Sequence, residues 1–285
     1  VNQISSQTGT QNARDAGTAR QKPRKLRRML DCLVRELQVA TLKFRRPEIA
    51  ETHGVKLWLA APVLRKGHRR QIIRHQYEEA ELSILDATLT PEDSVLELGA
   101  GIGLTSIFCA KRIGDGAKVH ALEANPALVP VLERNFQLNG VRPDFHSMAA
   151  AKETGEVEFA LDRSYTSSGL HGRPSETVER VRLPAAGFQE LLDRYSPSYL
   201  IMDIEGGEID LLPGANLSCV RKICLEVHPE IVGDAAISGV VAGLMGAGFL
   251  LHFSRSRKNV VYMERAPATV MAAGGGAGAV EAPGV

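Results

Sequence analysis

Residues 95–103 read Val95-Leu96-Glu97-Leu98-Gly99-Ala100-Gly101-Ile102-Gly103. A short apolar run enters a turn with glycine at every second position, and a helical segment, Leu104–Ile113, follows and stops at Gly114. The same alternation continues along the chain. Strands are predicted at 94–98, 118–122, 144–147, 198–202 and 222–226, with a closing hairpin of 249–253 and 260–263. Asn125-Pro126 reads as the N-cap and first residue of a helix to about 138, closed by Asn139-Gly140. A further helix is predicted at 207–212, and 156–161 with 178–183 alternate like an antiparallel pair. Strands that alternate with helices imply an α/β fold with a mostly parallel sheet and right-handed crossovers. Ligands of such sheets sit at the carboxyl ends of the strands, near the topological switch point.

Gly99, Gly101 and Gly103 allow the backbone to turn sharply and to approach a ligand closely. Dinucleotide enzymes use a similar turn, but their Gly-x-Gly-x-x-Gly pattern would require glycine where this chain has Leu104. Glu97 is the second discriminator. A carboxylate there would repel a pyrophosphate and suits a ligand bearing ammonium and sulfonium charges, as S-adenosylmethionine does. Glu123 ends the next strand, 20 residues beyond Gly103, where a carboxylate can accept both ribose hydroxyls. The plainer alternative is that Glu97 and Glu123 are surface acids at strand ends.

Glu123-Ala124-Asn125-Pro126, taken with the glycine turn, resembles class I methyltransferases. Residues 201–208, Ile-Met-Asp-Ile-Glu-Gly-Gly-Glu, are narrower and resemble the Asp-x-Glu-Gly-x-Glu segment of FkbM-type methyltransferases. Gln76-Tyr77-Glu78, Ala149-Ala150 with the stretch from Gly155 to Phe159, and Cys224-Leu225-Glu226-Val227-His228-Pro229 resemble further elements of that family. The likeness spans roughly residues 76–263. It departs at Met202, where the family often has Lys, and at 99–101, where the family often has Gly-Ala-Asn. The resemblance implies a Rossmann-like, seven-stranded, mostly parallel sheet flanked by helices, with an N-terminal helical extension. It implies S-adenosylmethionine as methyl donor and a hydroxyl of a small molecule, a sugar or a natural product, as acceptor. The cofactor residues it implies are Tyr77, Glu78, Glu97, Gly99, Ala100, Gly101, Gly103, Glu123, Ala124, Asn125, Ala149 and Asp203. The Asn/Asp-Pro-Pro-Tyr element of amino-directed enzymes is replaced by Asp203-Ile204-Glu205-Gly206, which argues against methylation of exocyclic base nitrogens.

Methyl transfer from a sulfonium is an in-line displacement, and a hydroxyl acceptor must also lose a proton. Asp203, Glu205 and His228 follow two predicted strands and are the catalytic candidates; His228, with a reference pKa near 6.5, suits a general base, and Asp203 is the alternative base or its orienting partner. The plainer readings are helix-start carboxylates for Glu205 and Glu208, a helix cap for Asp203 and a loop position for His228. Asp203, Glu205, Glu226 and His228 also have ligand types that suit Mg²⁺ or a transition ion, and related natural-product enzymes use Mg²⁺; the spacing does not require a metal. The segment 164–169 reads as a lid or substrate contact, with His171 at its edge.

Outside this core, residues 1–24 are polar and basic and read as disordered, and 25–75 as a helical extension with an amphipathic helix at 25–44 suited to a homodimer contact or an anionic partner. The methyltransferase domain is expected at 76–265 and an Ala/Gly-rich disordered tail at 266–285. A basic N-terminus recruiting RNA or protein is the alternative to a small-molecule acceptor, and a non-catalytic binding protein on the same fold is the third reading. The net charge of +1 gives no global pull to polyanions, and 5% aromatic residues offer no broad stacking platform, so nucleic acid is not the expected partner. The apolar stretch 235–251 is short for a membrane span and is broken by Gly246 and Gly248, so it reads as a buried helix and strand. Four scattered cysteines without Cys-x-x-Cys, and no apolar leader, point to a reduced, cytoplasmic protein.

Overall fold

The computed structural model describes residues 47–162 and 178–267, together with Val34. The disordered start expected at 1–24, the helix expected at 25–44 apart from Val34, its dimer contact, the 164–169 segment, His171 and nearly all of the tail lie outside the described residues.

The described chain opens with a hairpin of β1 (Ile49–Thr52) and β2 (Val55–Trp58), then helices α1 (Lys66–Ile73) and α2 (Glu79–Thr88). Next come β3 (Val95–Leu98), α3 (Leu104–Ile113), β4 (Val119–Leu122), α4 (Val129–Asn139) and β5 (Asp144–His146). Strands β6 (Ala149–Ala151), β7 (Gly155–Asp162) and β8 (Val178–Gly187) form a separate small sheet. The chain then runs through α5 (Phe188–Tyr195), β9 (Tyr199–Met202), α6 (Glu208–Leu211), β10 (Lys222–Glu226), α7 (Pro229–Val232) and α8 (Asp234–Gly246), and ends with β11 (Phe249–Leu251) and β12 (Val260–Arg265).

The large sheet has seven strands in the order β11-β12-β10-β9-β3-β4-β5. Strands β10, β9, β3, β4 and β5 are parallel, and β12 is antiparallel to both of its neighbours. From β3 the chain steps outward to β4 and β5, then returns to place β9 and β10 on the other side. The switch point therefore lies between β3 and β9, whose carboxyl ends carry Gly99 and Asp203.

Side-chain alternation divides the core into two layers. Val95, Val119, Ala121, Tyr199, Ile201 and Cys224 face the layer of α2, α3, α4 and the hairpin. Leu96, Leu98, Leu122, Leu200, Met202 and Leu225 face the layer of α5, α6 and α8. Each strand is thus apolar on both faces, as a parallel sheet covered on both sides requires.

The extension at 25–75 is not helical throughout. Residues 49–58 form the hairpin, and Val55, Leu57 and Leu59 pack into the same core layer as α3 and α4. Two asparagines one helical turn apart on α4 hold it there. Asn135 accepts from the Trp58 N–H at 2.7 Å and donates to the Ile102 carbonyl, while Asn139 accepts from the Lys56 N–H and donates to its carbonyl at 2.7 Å. The 235–251 stretch does divide into α8 and β11, but α8 is a surface helix that buries only Val240 and Leu244. Among the described residues no helix is long and apolar enough to cross a membrane.

A completely buried carboxylate joins the opposite ends of three strands. Asp93 accepts from Lys222 Nζ at 2.7 Å, Ser198 Oγ at 2.8 Å and the Thr90 N–H at 2.9 Å, so the residues before β3 and β9 and the first residue of β10 converge on one side chain. Burial raises its pKa, but these donors outweigh that effect and hold it below the ordinary aspartate value. Replacing Asp93 with Ala leaves the Lys222 ammonium, 11% exposed, without its carboxylate and with the Thr88 carbonyl at 2.7 Å as an acceptor; breaking a buried pair costs about 3–5 kcal/mol. The expected result is a lower urea midpoint. Because the folded pKa is depressed, the contribution of Asp93 is present above the ordinary aspartate range and is lost as pH falls through the folded value. The variant's stability profile should lack that acid-side component.

Candidate active site

The carboxyl ends of β3, β4, β9 and β10 open on a cavity of about 510 Å³. The glycine turn forms its floor. The N–H groups of Gly99 and Ala100 both donate to the Leu122 carbonyl at 2.9 Å, which pins the turn to the end of β4. Gly99 has φ +90°, and a Cβ there would lie 1.8 Å from the Asp203 carbonyl oxygen, so the site tolerates no side chain. The contact brings the turn and the Asp203 loop together.

Glu123 closes the turn from the side. Its two oxygens accept from the N–H groups of Gly101 and Asn125, each at 2.7 Å. Burial raises its pKa and the backbone donors lower it, leaving it at about 7. Asn125 is 1% exposed and lines the cavity. Its Oδ1 accepts from the Ala127 N–H and forms a turn, so α4 begins one turn later than Asn125-Pro126 suggested, at Val129. Asn125 Nδ2 is buried without a partner among the described residues.

The residues ahead of β3 form the roof. Glu78 is in the left-handed region (φ +49°) at the start of α2, and its Oε2 accepts from Thr105 Oγ1 at 2.7 Å, tying α2 to the first turn of α3. Burial, then the charge of Glu81, raises the Glu78 pKa; burial, then Glu78, raises that of Tyr77. Both line the cavity, as do Gly99, Gly101, Glu123, Ala124, Asn125, Ala149 and Asp203. Ala100, Gly103 and Glu97 do not. Glu97 corrects the sequence-based expectation of a cofactor contact. Its side chain points to the α3 layer, is 2% exposed and accepts a short hydrogen bond from Ser106 Oγ. Burial raises its pKa to about 8 despite that bond.

The opposite wall is dominated by acids. His228, after β10, is buried with Nε2 3.0 Å from Asp203 Oδ1, and with Nδ1 3.5 Å from Glu205 Oε2 and 3.7 Å from Glu230 Oε1. Burial lowers its pKa, but the Asp203 hydrogen bond and charge, with Glu205 and Glu208, raise it to about 9. His228 is therefore an imidazolium at neutral pH, not the ready base its reference pKa suggested. Burial and Asp203 raise Glu205 to about 8. Glu205 (φ +54°) and Gly206 (φ +97°) form a left-handed bend, fixed by Glu208 Oε1 accepting from the Ile204 N–H at 2.9 Å. No side chain caps α6, so the capping role considered for Asp203 does not arise.

Glu226 and Glu81 meet in the same wall and interact strongly, and burial with neighbouring negative charge raises both pKa values. Glu81 was missed as a site residue because it sits in an acidic run. The available signal was its place among Ala80, Leu82, Ile84 and Leu85, all of them buried. Gln71, Gln76, Lys258 and Asn259 also line the cavity and carry no motif. Ligand atoms of Asp203, Glu226 and His228 lie within 4.8 Å of one another. A cation there would compete with the Asp203 hydrogen bond and require His228 to lose a proton.

The Methyltransferase FkbM domain matches residues 97–249, more than half of the chain. The chain belongs to the FkbM methyltransferase family. A lysine methyltransferase domain also matches residues 37–153. The chain is 33% identical over 112 residues to ribosomal protein L11 methyltransferase of Thermus thermophilus, covering 39% of this chain and 42% of that protein. It is 35% identical over 105 residues to ribosomal RNA small subunit methyltransferase A of Thermotoga petrophila, covering 36% of each. The chain thus spans less than half the length of these curated relatives. Methyltransferase FkbM of Methylobacillus flagellatus is a similar solved structure, with a TM-score of 0.43, 15% identity and coverage of 72% of this chain and 56% of that one.

The raised pKa of Glu226 gives a stability test. A carboxyl whose folded pKa is raised contributes stability below the ordinary carboxylate range and loses it as pH rises toward the folded value. Glu226→Gln removes the titrating proton. Scanning fluorimetry should therefore show similar melting temperatures for wild type and variant near pH 4, and a higher one for the variant above pH 8.

Proposed function

We propose that this FkbM-family chain transfers the methyl group of S-adenosylmethionine to a hydroxyl oxygen. The observation that carries the reading is the Asp203–His228 pair, hydrogen-bonded at 3.0 Å and facing the same cavity as the glycine turn. The residues fit the cofactor. Glu123 has a second lone pair on each oxygen for ribose hydroxyls. Asn125 Nδ2 is a buried donor in need of an acceptor. Tyr77, Glu78 and Asp203 place an acid-rich surface where a cationic ligand end would be favoured. Bound there, S-adenosylmethionine supplies a methyl group activated by its sulfonium.

The chain's residues do the rest. Asp203 is 40% exposed at its side chain, so Oδ1 holds His228 while Oδ2 can face an acceptor. His228 holds Asp203 in place, and Asp203 takes the proton that leaves the acceptor hydroxyl. Transfer would form the acceptor's O–CH₃ bond as the donor's S–CH₃ bond breaks, with that electron pair left on sulfur. His228 is a positioning residue in this scheme. Two acceptor classes compete. The family resemblance favours a small molecule, a sugar or a natural product, whereas the relatives named above are, by name, methyltransferases of a ribosomal protein and a ribosomal RNA.

Two substitutions separate the roles. Glu123→Ala should weaken S-adenosylmethionine binding about tenfold or more in calorimetry, the loss expected for about 1.4 kcal/mol of hydrogen bonding to a charged group. Asp203→Asn should lower kcat by about 10²–10⁴-fold, the usual share of a general base, with a far smaller change in cofactor affinity. Normal turnover by Asp203→Asn would remove it as the base.

A further inference from the structure

The net charge of +1 conceals a separation of charge around the cavity. Between Thr52 and Tyr77 the chain carries six Lys or Arg residues and no Asp or Glu. Helix α1 lies in this stretch and turns Ile72 and Ile73 to the core. At about 100° per residue, Gln71 lies nearly opposite the mean direction of Ile72 and Ile73, while Lys66 and Arg70 lie on the flanks of the helix. Both cations are exposed, and Gln71 lines the cavity. The exposed side of α1 is thus cationic, and the helix borders the cavity at Gln71.

A second cationic element borders the same cavity. The turn between β11 and β12 exposes Phe253, Arg257 and Lys258, and Lys258 with Asn259 lines the cavity. Phe253 is 82% exposed, the most exposed of the large apolar side chains described. The turn is pinned by paired backbone hydrogen bonds between Arg257 and Val260 at 2.9 and 2.8 Å, with Lys258 at φ +53°. An exposed aromatic on the same turn as two exposed cations is poorly explained by packing and suits a base stacked near its phosphate.

We infer that α1 and the β11–β12 turn form a docking surface for single-stranded RNA, with phosphates on Lys66, Arg70, Arg257 and Lys258, a base on Phe253 and a ribose hydroxyl entering the cavity. The choice of hydroxyl acceptor rests on the oxygen-directed reading above; the docking surface does not. An acidic protein segment fits less well, because a carboxylate that entered would be buried among Glu81, Asp203, Glu205 and Glu226 at a desolvation cost, whereas a nucleoside is neutral once its phosphates stay at the rim. DNA lacks the 2′-hydroxyl that the chemistry requires. With RNA as acceptor the bonds balance as before: the 2′-oxygen gains the methyl, and its proton passes to Asp203.

The test is fluorescence anisotropy of the full chain with a labelled single-stranded RNA of about 16 nucleotides, titrated across salt concentrations. Wild type should bind, with log K falling linearly against log salt. The pairs Lys66→Glu with Arg70→Glu, and Arg257→Glu with Lys258→Glu, should each weaken binding about tenfold or more and reduce the slope by roughly 0.7 per cation removed. Phe253→Ala should weaken binding without changing the slope. Unchanged circular dichroism certifies each variant, and Gln replaces Glu where a reversal does not fold. Full affinity in either charge pair, or equal competition by poly-glutamate, would overturn the docking surface. Labelled-methyl transfer separates the two claims. Methylation of the RNA but not of its 2′-deoxy counterpart supports both. Methyl recovered on a base sinks the oxygen-directed reading and leaves the surface standing. Transfer to a free sugar without RNA affinity does the reverse.

Discussion

The site depends on the approach of two chain segments at Gly99. A Cβ at that residue would lie 1.8 Å from the Asp203 carbonyl. Because none is present, the carboxyl ends of β3 and β9 close on each other at the switch point of the sheet. The glycine turn, clamped by Glu123, and the Asp203–His228 pair therefore face one cavity. A larger residue at Gly99 would have to push one of these elements away, and the shared cavity would be lost with it.

The electrostatics of that cavity follow from its construction. Four parallel strands end there, and their terminal residues and loops bring Glu123, Asp203, Glu205 and Glu226 together with Glu78 and Glu81 from α2. Burial makes each charge costly, and burial with the charge of Asp203 raises the pKa values of Glu205 and Glu226. The molecule meets this cost by protonating some acids and by holding His228 as an imidazolium among others. A cationic cofactor would relieve the remainder, which makes the acid-rich wall a complement to the sulfonium more than a flaw in the core. At the opposite end of the sheet, Asp93 solves the same problem with Lys222 and hydroxyl donors instead of a ligand.

Much of this was legible along the chain. The strand and helix bounds of Val95–Leu98, Leu104–Ile113 and Lys222–Glu226 lie within a residue of where periodicity and the glycine stop at 114 placed them. Most of the expected cofactor residues line the cavity. Three kinds of feature were not legible. The β1–β2 hairpin consists of two four-residue strands, and its place is set by Asn135 and Asn139, about 80 residues away, so no local pattern announces it. Glu97 follows the right spacing for a ligand contact, yet strict alternation along β3 turns it toward Ser106. His228 has an ordinary imidazole in the sequence and acquires its raised pKa only from Asp203, Glu205 and Glu208, which folding brings to it.

The amino-acid sequence by itself determined that the chain forms alternating strands and helices, that a glycine turn follows the first strand of the parallel sheet, and that Glu123 and Asp203 end neighbouring structural units. Those properties are local: they come from periodicity, caps and the conformational freedom of glycine. Tertiary structure decided which acids share a cavity, which nitrogen of His228 meets which carboxylate, that Glu97 bonds Ser106 of α3, and that α1 and the β11–β12 turn border one opening. The physical reason is that burial and charge–charge distance set ionisation and binding, and both belong to contacts between residues far apart in the chain.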